Sequence, residues 1–151
     1  MSVGIGYDSH RFAEGRRLVL GGVEIEHARG LAGHSDADVL THAVIDALLG
    51  AAGSGDIGTL FPDDDERWRD ADSIDLLRTA VGTVSGRVIN IDATLICEEP
   101  RIGPFRAEME RNLAEATSAR VSVKATSNEG MGWIGRGEGI ACMAVASVES
   151  E

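Results

Sequence analysis

Three side chains in the first third of the chain have the types and spacing of a metal site. Asp8 and His10 stand two apart in GYDSHRF, residues 6–12. Side chains on a strand alternate between faces, so this carboxylate and this imidazole leave the same face. His42 lies where Val39, Leu40, Ala43, Val44, Ala47, Leu48 and Ala51 recur at helical spacing. Projected at ~100° per residue, His42 falls nearly opposite that stripe, alongside Asp38, Asp46, Ile45 and Leu49. Apolar residues on this second face predict that it too is covered, by a loop or another subunit. Asp/His/His supplies three protein ligands and leaves one position open, the pattern of a catalytic zinc site. The set also suits Fe(II), Mn(II) or Co(II). Asp46 or Asp38, one turn to either side of His42, is placed to orient its ring. On spacing alone, the same residues also read as ordinary polar groups of a strand and a helix.

Further segments carry chemistry. GHSDAD, residues 33–38, opens the helix that holds His42, with Ser35 or Asp36 as the expected N-cap. His34 has no such account, and free N–H groups at a helix start favour an anion. GDIGTLFPDDDE, residues 55–66, reads as a solvated acidic turn without EF-hand spacing. KATSNEGMGWIGRGEG, residues 124–139, offers the Thr126 and Ser127 hydroxyls, the Glu129 carboxylate and the Arg136 guanidinium. Its glycines would let backbone approach a phosphate, although it is not a P-loop. It reads equally as a glycine-rich hairpin in which Arg136 pairs with Glu138.

The elements that must position these groups follow from periodicity. SVGIGY opens a strand, and LVLGGVEIE is a pair of short strands around Gly21–Gly22. Helices are expected from Asp36 to about Ala52, from Ser73 to about Val84 with Asp72 or Ser73 as cap, and from near Pro104. In the third, Phe105, Met109, Leu113 and Ala116 share a stripe. RVINIDATLICEE, RVSVKAT and GIACMAVASV complete the strands, with Cys97 and Cys142 as buried free thiols. The order implies an α+β fold, one sheet covered by helices, in a single domain over residues 1–151. The net charge of -11 excludes non-specific nucleic-acid binding. No apolar run is long enough to span a bilayer and no signal peptide is visible, so the cytoplasm is the expected compartment.

Together these segments resemble one family, the 2-C-methyl-D-erythritol 2,4-cyclodiphosphate synthases of the non-mevalonate isoprenoid pathway. GYDSHRF, GHSDADVLTHAVIDALLGAAGSGDIGTLFPDDD, EEPRIGPF and VKATSNEGMGWIGRGEGIACMAV match in family order from end to end. Any one is weak; together they are very specific. The resemblance implies a homotrimer with sheets packed around its three-fold axis and active sites between neighbouring subunits. It implies that 4-diphosphocytidyl-2-C-methyl-D-erythritol 2-phosphate is cyclised with release of CMP. By the same resemblance Asp8, His10 and His42 hold zinc, and Glu129 helps to hold a second cation, Mg or Mn. His34 and Ser127 match the positions that stabilise the transition state. Asp8, Ser9, His10, His34 and Ser35 also match substrate contacts. Asp56, Ile57 and Gly58, with Phe61, Pro62, Asp63, Asp64 and Asp65, match the methylerythritol side. Cys97, Glu98, Glu99, Pro100, Arg101, Ile102 and Gly103 match the cytidine pocket, and Thr126, Ser127, Asn128 and Glu129 the phosphates.

The chain departs from the family pattern at several positions. Arg101 stands where lysine is usual, and the two cations differ in geometry. Asn128 and Gly130 flank Glu129 where threonine and lysine are frequent, and Trp133 replaces a frequent phenylalanine. Two other readings remain: a zinc phosphohydrolase using a metal-bound water, and a trimeric module that binds an isoprenoid diphosphate in an axial cavity near Trp133, Arg136 and Glu138.

Overall fold

The computed structural model describes residues 1–150. Its long opening strand, β1 (Ser2–Ala13), pairs antiparallel with the closing strand, β7 (Gly139–Glu149). On the far side of β7 lies β5 (Arg87–Ile96), antiparallel to it, and then β6 (Arg120–Thr126), parallel to β5. The short β4 (Gly30–Leu31) edges β1, giving the order β4-β1-β7-β5-β6. β2 (Leu18–Leu20) and β3 (Val23–Ile25) form a separate two-stranded ribbon around Gly21 and Gly22, so there is one main sheet and one small ribbon.

Helices cover one face of this sheet. The central one, α1 (Val39–Ala52), lies on β1 and β7. Glycine makes that contact close: a Cβ at Gly4 or Gly6 would collide with the backbone of Ala47, Ala51 or Ala43. The inward positions of β1 are thus Gly4, Gly6, Asp8 and His10, in strict alternation. Its outward positions include Val3, Ile5 and Tyr7, which with Met143 and Val145 of β7 form an exposed apolar strip. Ile5 opposes Val145, and Tyr7 opposes Met143.

Helix α1 begins at Val39 rather than Asp36, and Asp38 caps it instead of Ser35 or Asp36. Ala37 takes a left-handed φ of 58°, which ends the preceding turn. The Asp38 carboxylate accepts the Thr41 N–H and O–H and the N–H groups of Gly21 and Gly22, tying the ribbon to the helix. Both faces of α1 are buried, including Ile45 and Leu49. The second face packs within the chain, against α2 (Ile57–Leu60) and α3 (Ser73–Thr83), so no second subunit is needed to cover it.

Asp72 caps α3 as expected. Pro104 sits in a 3-10 turn, Gly103–Phe105, and the helix proper, α4 (Arg106–Thr117), begins after it. Met109 and Leu113 are fully buried, with Phe105 and Ala116 packed at the margin. Residues 127–138 are not a hairpin, because β5 lies between β6 and β7. They form a turn with a short helix, α5 (Gly132–Gly135). Residues 55–66 are more than a solvated turn: α2 forms there and buries Phe61, while Asp63 and Asp64 face solvent.

Candidate metal centre

Strand β1 aims Asp8 and His10 at the first turn of α1, where His42 stands. One ligand atom from each of the three lies within 4.8 Å of the others. Asp8 Oδ2 is 2.8 Å from His10 Nε2 and 3.2 Å from His42 Nδ1, and the two ring nitrogens are 3.3 Å apart. Gly33 lets the preceding loop close over the site, since a Cβ there would press on His10 Cε1 at 3.2 Å.

Hydrogen bonds from outside the triad hold both rings. His10 Nδ1 donates to the Ala32 carbonyl at 2.7 Å, which leaves a lone pair on Nε2. His42 Nε2 faces the Ser73 and Ser35 hydroxyls at 2.8 and 3.1 Å, leaving Nδ1 turned inward. With both inner nitrogens unprotonated, Asp8 Oδ2 is a buried atom with no donor. Three lone pairs then meet in one place, an arrangement that repels itself unless a cation or a proton lies between. The donor set therefore fits a divalent transition metal with a fourth position open. Without metal a proton does part of that work. Burial opposes charge on Asp8, but at the low pH where it titrates His10 and His42 carry protons on their inner nitrogens, and their hydrogen bonds and charge outweigh burial and hold the carboxyl down to about 2. Burial likewise works against a charged His10, and the Asp8 partner still raises its pKa above 6.5.

Neither acid expected to orient His42 does so. Asp38 is spent as the cap, and Asp46 accepts the Ile57 N–H at 2.8 Å, holding α2 against α1. The triad opens into a cleft of about 190 Å³ that His34, Ser35, Ile57, Gly58, Phe61 and Asp63 also line. His34 Nε2 donates to the Asp65 carbonyl at 3.0 Å, and Asp65 caps the 3-10 turn Glu66–Trp68. Asp56 caps α2 from the exposed rim, and Asp64 is also exposed. Trp68, not anticipated from sequence, lines the cleft edge-on to Phe61, and its buried indole N–H has no acceptor.

The other expected residues gather elsewhere. Cys97 N–H donates to the Thr126 carbonyl, joining residues 97–103 to the end of β6. Glu98 Oε1 accepts the N–H groups of Asn128 and Gly130 at 3.0 and 3.1 Å, which presents Ser127 and Glu129 to solvent. Glu129 takes a left-handed φ of 54° there. Arg101 is exposed, Pro100 is half-buried and Ile102 is buried in the core. Ser9 and Trp133 line a second cleft of about 520 Å³, which His10 also borders, while Glu98, Glu99 and Arg136 line another of about 370 Å³. Arg136 Nε donates to Glu138 at 2.6 Å. Within one chain, the triad's cleft is lined by none of residues 97–103 or 126–129.

The family model described as the YgbB family matches residues 1–149. The chain belongs to that family. This YgbB-family chain is 60% identical to the 2-C-methyl-D-erythritol 2,4-cyclodiphosphate synthase of Rubrobacter xylanophilus, over 97% of this chain and 94% of that protein. It is 54% identical to the synthase of Salinibacter ruber over 99% of both. Among solved structures, the bifunctional IspDF of Campylobacter jejuni matches with a TM-score of 0.92 and 42% identity, over 96% of this chain and 41% of that one. A cyclodiphosphate synthase solved in a CDP-bound form matches with a TM-score of 0.87 and 35% identity, over 97% of this chain and 99% of that one.

Proposed function

We infer that this chain is a 2-C-methyl-D-erythritol 2,4-cyclodiphosphate synthase. The carrying observation is the meeting of Asp8 Oδ2, His10 Nε2 and His42 Nδ1 at a cleft, in a chain that matches the synthases along nearly its whole length. In the reaction, a 2-phosphate oxygen forms a bond to the β-phosphorus of the same substrate. The bond from that phosphorus to the oxygen bridging it to the α-phosphate breaks, and CMP leaves with that oxygen. A phosphate oxygen is already a nucleophile, so no protein base is required. Positioning and charge neutralisation are what the protein must supply.

We propose zinc as the ion held by Asp8, His10 and His42; when bound, it polarises a phosphate oxygen and offsets its charge. His34 offers its Nε2–H to the reacting phosphate after giving up the Asp65 carbonyl, and Ser127 offers a hydroxyl from the other cluster. Glu129, with Mg or Mn, serves the diphosphate. Residues 56–58 and 61–65 hold the methylerythritol end, with Trp68 beside them. Residues 97–103 hold the cytidine, in keeping with the CDP named for a structural relative.

The two clusters are proposed to meet across a subunit boundary in a homotrimer. The exposed strip of Val3, Ile5, Tyr7, Met143 and Val145 supports this, because it is a continuous apolar sheet face with nothing covering it in one chain. A prenyl diphosphate on the three-fold axis remains a proposal for a partner; it would have to compete with Glu138 for Arg136. The chain is taken to act as one unit over residues 1–151. No helix among the described residues is long and apolar enough to cross a membrane, and the cytoplasm is the proposed compartment. Phosphorus NMR with the cytidyl substrate tests the activity. The expected products are the cyclic diphosphate and CMP. Inorganic phosphate would instead favour the zinc phosphohydrolase reading, and no turnover would leave only the binding module.

A further inference from the structure

The outer nitrogen of His42 leads away from the cleft into the packed interior. His42 Nε2 is 2.8 Å from Ser73 Oγ, and Ser73 is wholly buried at the start of α3. The Ser73 hydroxyl in turn donates a hydrogen bond to Asp36 Oδ1. Asp36 is locked from several sides: Oδ2 accepts the Ser73 N–H at 3.0 Å, Oδ1 accepts the Asp38 N–H at 3.1 Å, and its own N–H donates to the Ala71 carbonyl at 3.1 Å.

A carboxylate only accepts, so the Ser73 O–H must point at Asp36. Ser73 Oγ then has only lone pairs left for His42, and the proton must sit on His42 Nε2. Ser35 Oγ, 3.1 Å from the same nitrogen, makes the point sharper. A serine hydroxyl both donates and accepts, so with Ser35 alone His42 could take either tautomer. Its proton on Nδ1 would block the third ligand position.

We propose that Asp36, acting through Ser73, is a positioning group that fixes His42 in its Nε2–H tautomer and keeps Nδ1 free for the metal. This rests on the reading of Asp8, His10 and His42 as a metal site. It couples α3 to that site: the helix start packs against α1 and also selects the proton position on a ligand. Groups that hold a metal-bound histidine by its second nitrogen commonly shift metal affinity about 10–100-fold.

The test is chelator competition with Zn(II) on the purified full chain, comparing the parent, Ser73→Ala, Asp36→Ala and His42→Ala. A second readout is the imidazole nitrogen shifts of His42 in the metal-free parent and variants at alkaline pH. Ser73→Ala and Asp36→Ala should each weaken Zn(II) by about 10–100-fold and let the Nδ1–H form of His42 appear. If Ser73→Ala does not fold, Asp36→Ala decides, since its change is on another segment and leaves no acceptor for the Ser73 O–H. A role limited to docking α3 would lower the melting temperature of the variants while leaving affinity and tautomer unchanged, and that result overturns the relay. If the parent itself binds no Zn(II), the metal-site reading fails first and the relay with it.

Discussion

The backbone of Gly6 on β1 lies directly against the Ala43 carbonyl on α1, with no room between them for a Cβ. This contact sets the height of the helix above the strand, and His42, the next residue before Ala43, inherits that height. Gly6→Ala must push α1 outward or bend β1. Overpacking of this kind costs about 1–3 kcal/mol. The expected result in urea unfolding, at fixed protein concentration, is a loss in that range. Zn(II) affinity should fall in the same variant, because Asp8 and His10 stay on the strand while His42 moves. Unchanged unfolding and unchanged affinity would mean that the helix height is not what spaces the ligands.

His42→Ala removes one of three converging donors and leaves Asp8 and His10 paired at 2.8 Å. Two ligands on a partly open site hold a divalent ion poorly. We expect bound metal to disappear after dialysis and turnover to fall by at least about 100-fold, while circular dichroism stays that of the parent. Elemental analysis of the dialysed variant decides the point. Full occupancy there would remove His42 from the ligand set.

Protons and metal compete for His10. Its pKa is raised above 6.5 in the metal-free protein, so Nε2 is free at alkaline pH and protonated as pH falls. Zn(II) affinity should therefore be full at high pH and decline with a midpoint above 6.5. Asp8 is held down to about 2 and adds no break near neutrality. Metal-free stability has the opposite sign. The Asp8–His10 pairing is fully present below 6.5 and is lost as pH rises through the raised pKa. Melting of metal-free protein should thus drop over that interval, while the zinc-loaded protein should not. An affinity curve that is flat across neutrality would contradict the arrangement of charges described for the triad.

Glu98 supports the second cluster by accepting two backbone N–H groups on either side of Glu129. Removing an acceptor shared by two donors costs about 1–3 kcal/mol of local order. Glu98→Ala should speed hydrogen exchange at Asn128 and Gly130 and lower kcat, with Zn(II) affinity unchanged. Glu98→Gln keeps one carbonyl oxygen and should fall between. Loss of Zn(II) in either variant would show that the clusters are coupled through the fold rather than through substrate.

Much of the site was readable because its key spacings are local. Period two puts Asp8 and His10 on one face, and period 3.6 separates His42 from Ala43 and Ala47. Three things resisted. Ser35, Asp36 and Asp38 are all good caps, and only the left-handed Ala37 shows which one starts the helix. Ser73 is 31 residues from His42, so no local pattern joins them. The alternation in SVGIGY was also easy to misjudge. Its apolar residues face outward, because the inward places must be glycine for α1 to approach. The apolar face left open in one chain is therefore on the sheet, while the second face of α1, expected to be covered by a loop or another subunit, is covered by α2 and α3.

That sheet face carries the last prediction. Ile5 is 66% exposed and opposes Val145, 42% exposed, in the middle of an apolar strip. Ile5→Glu should put three like charges near the proposed axis and dissociate the assembly, seen as a monomer in sedimentation velocity. A sharper test asks whether the site crosses the boundary. His42→Ala chains lack the metal cluster, and Glu129→Gln chains lack the second-cation group. If both clusters belonged to one chain, mixing the two inactive proteins would restore nothing. If each site joins the triad of one chain to the Glu129 loop of its neighbour, every mixed trimer contains one intact site out of three. Random reassembly from equal amounts makes about three quarters of the trimers mixed, so activity should recover to about a quarter of the parent value. Dissociation and reassembly must precede the assay, and unmixed controls must stay inactive. Recovery near a quarter supports the shared site; none after confirmed subunit exchange would place the whole reaction inside one chain.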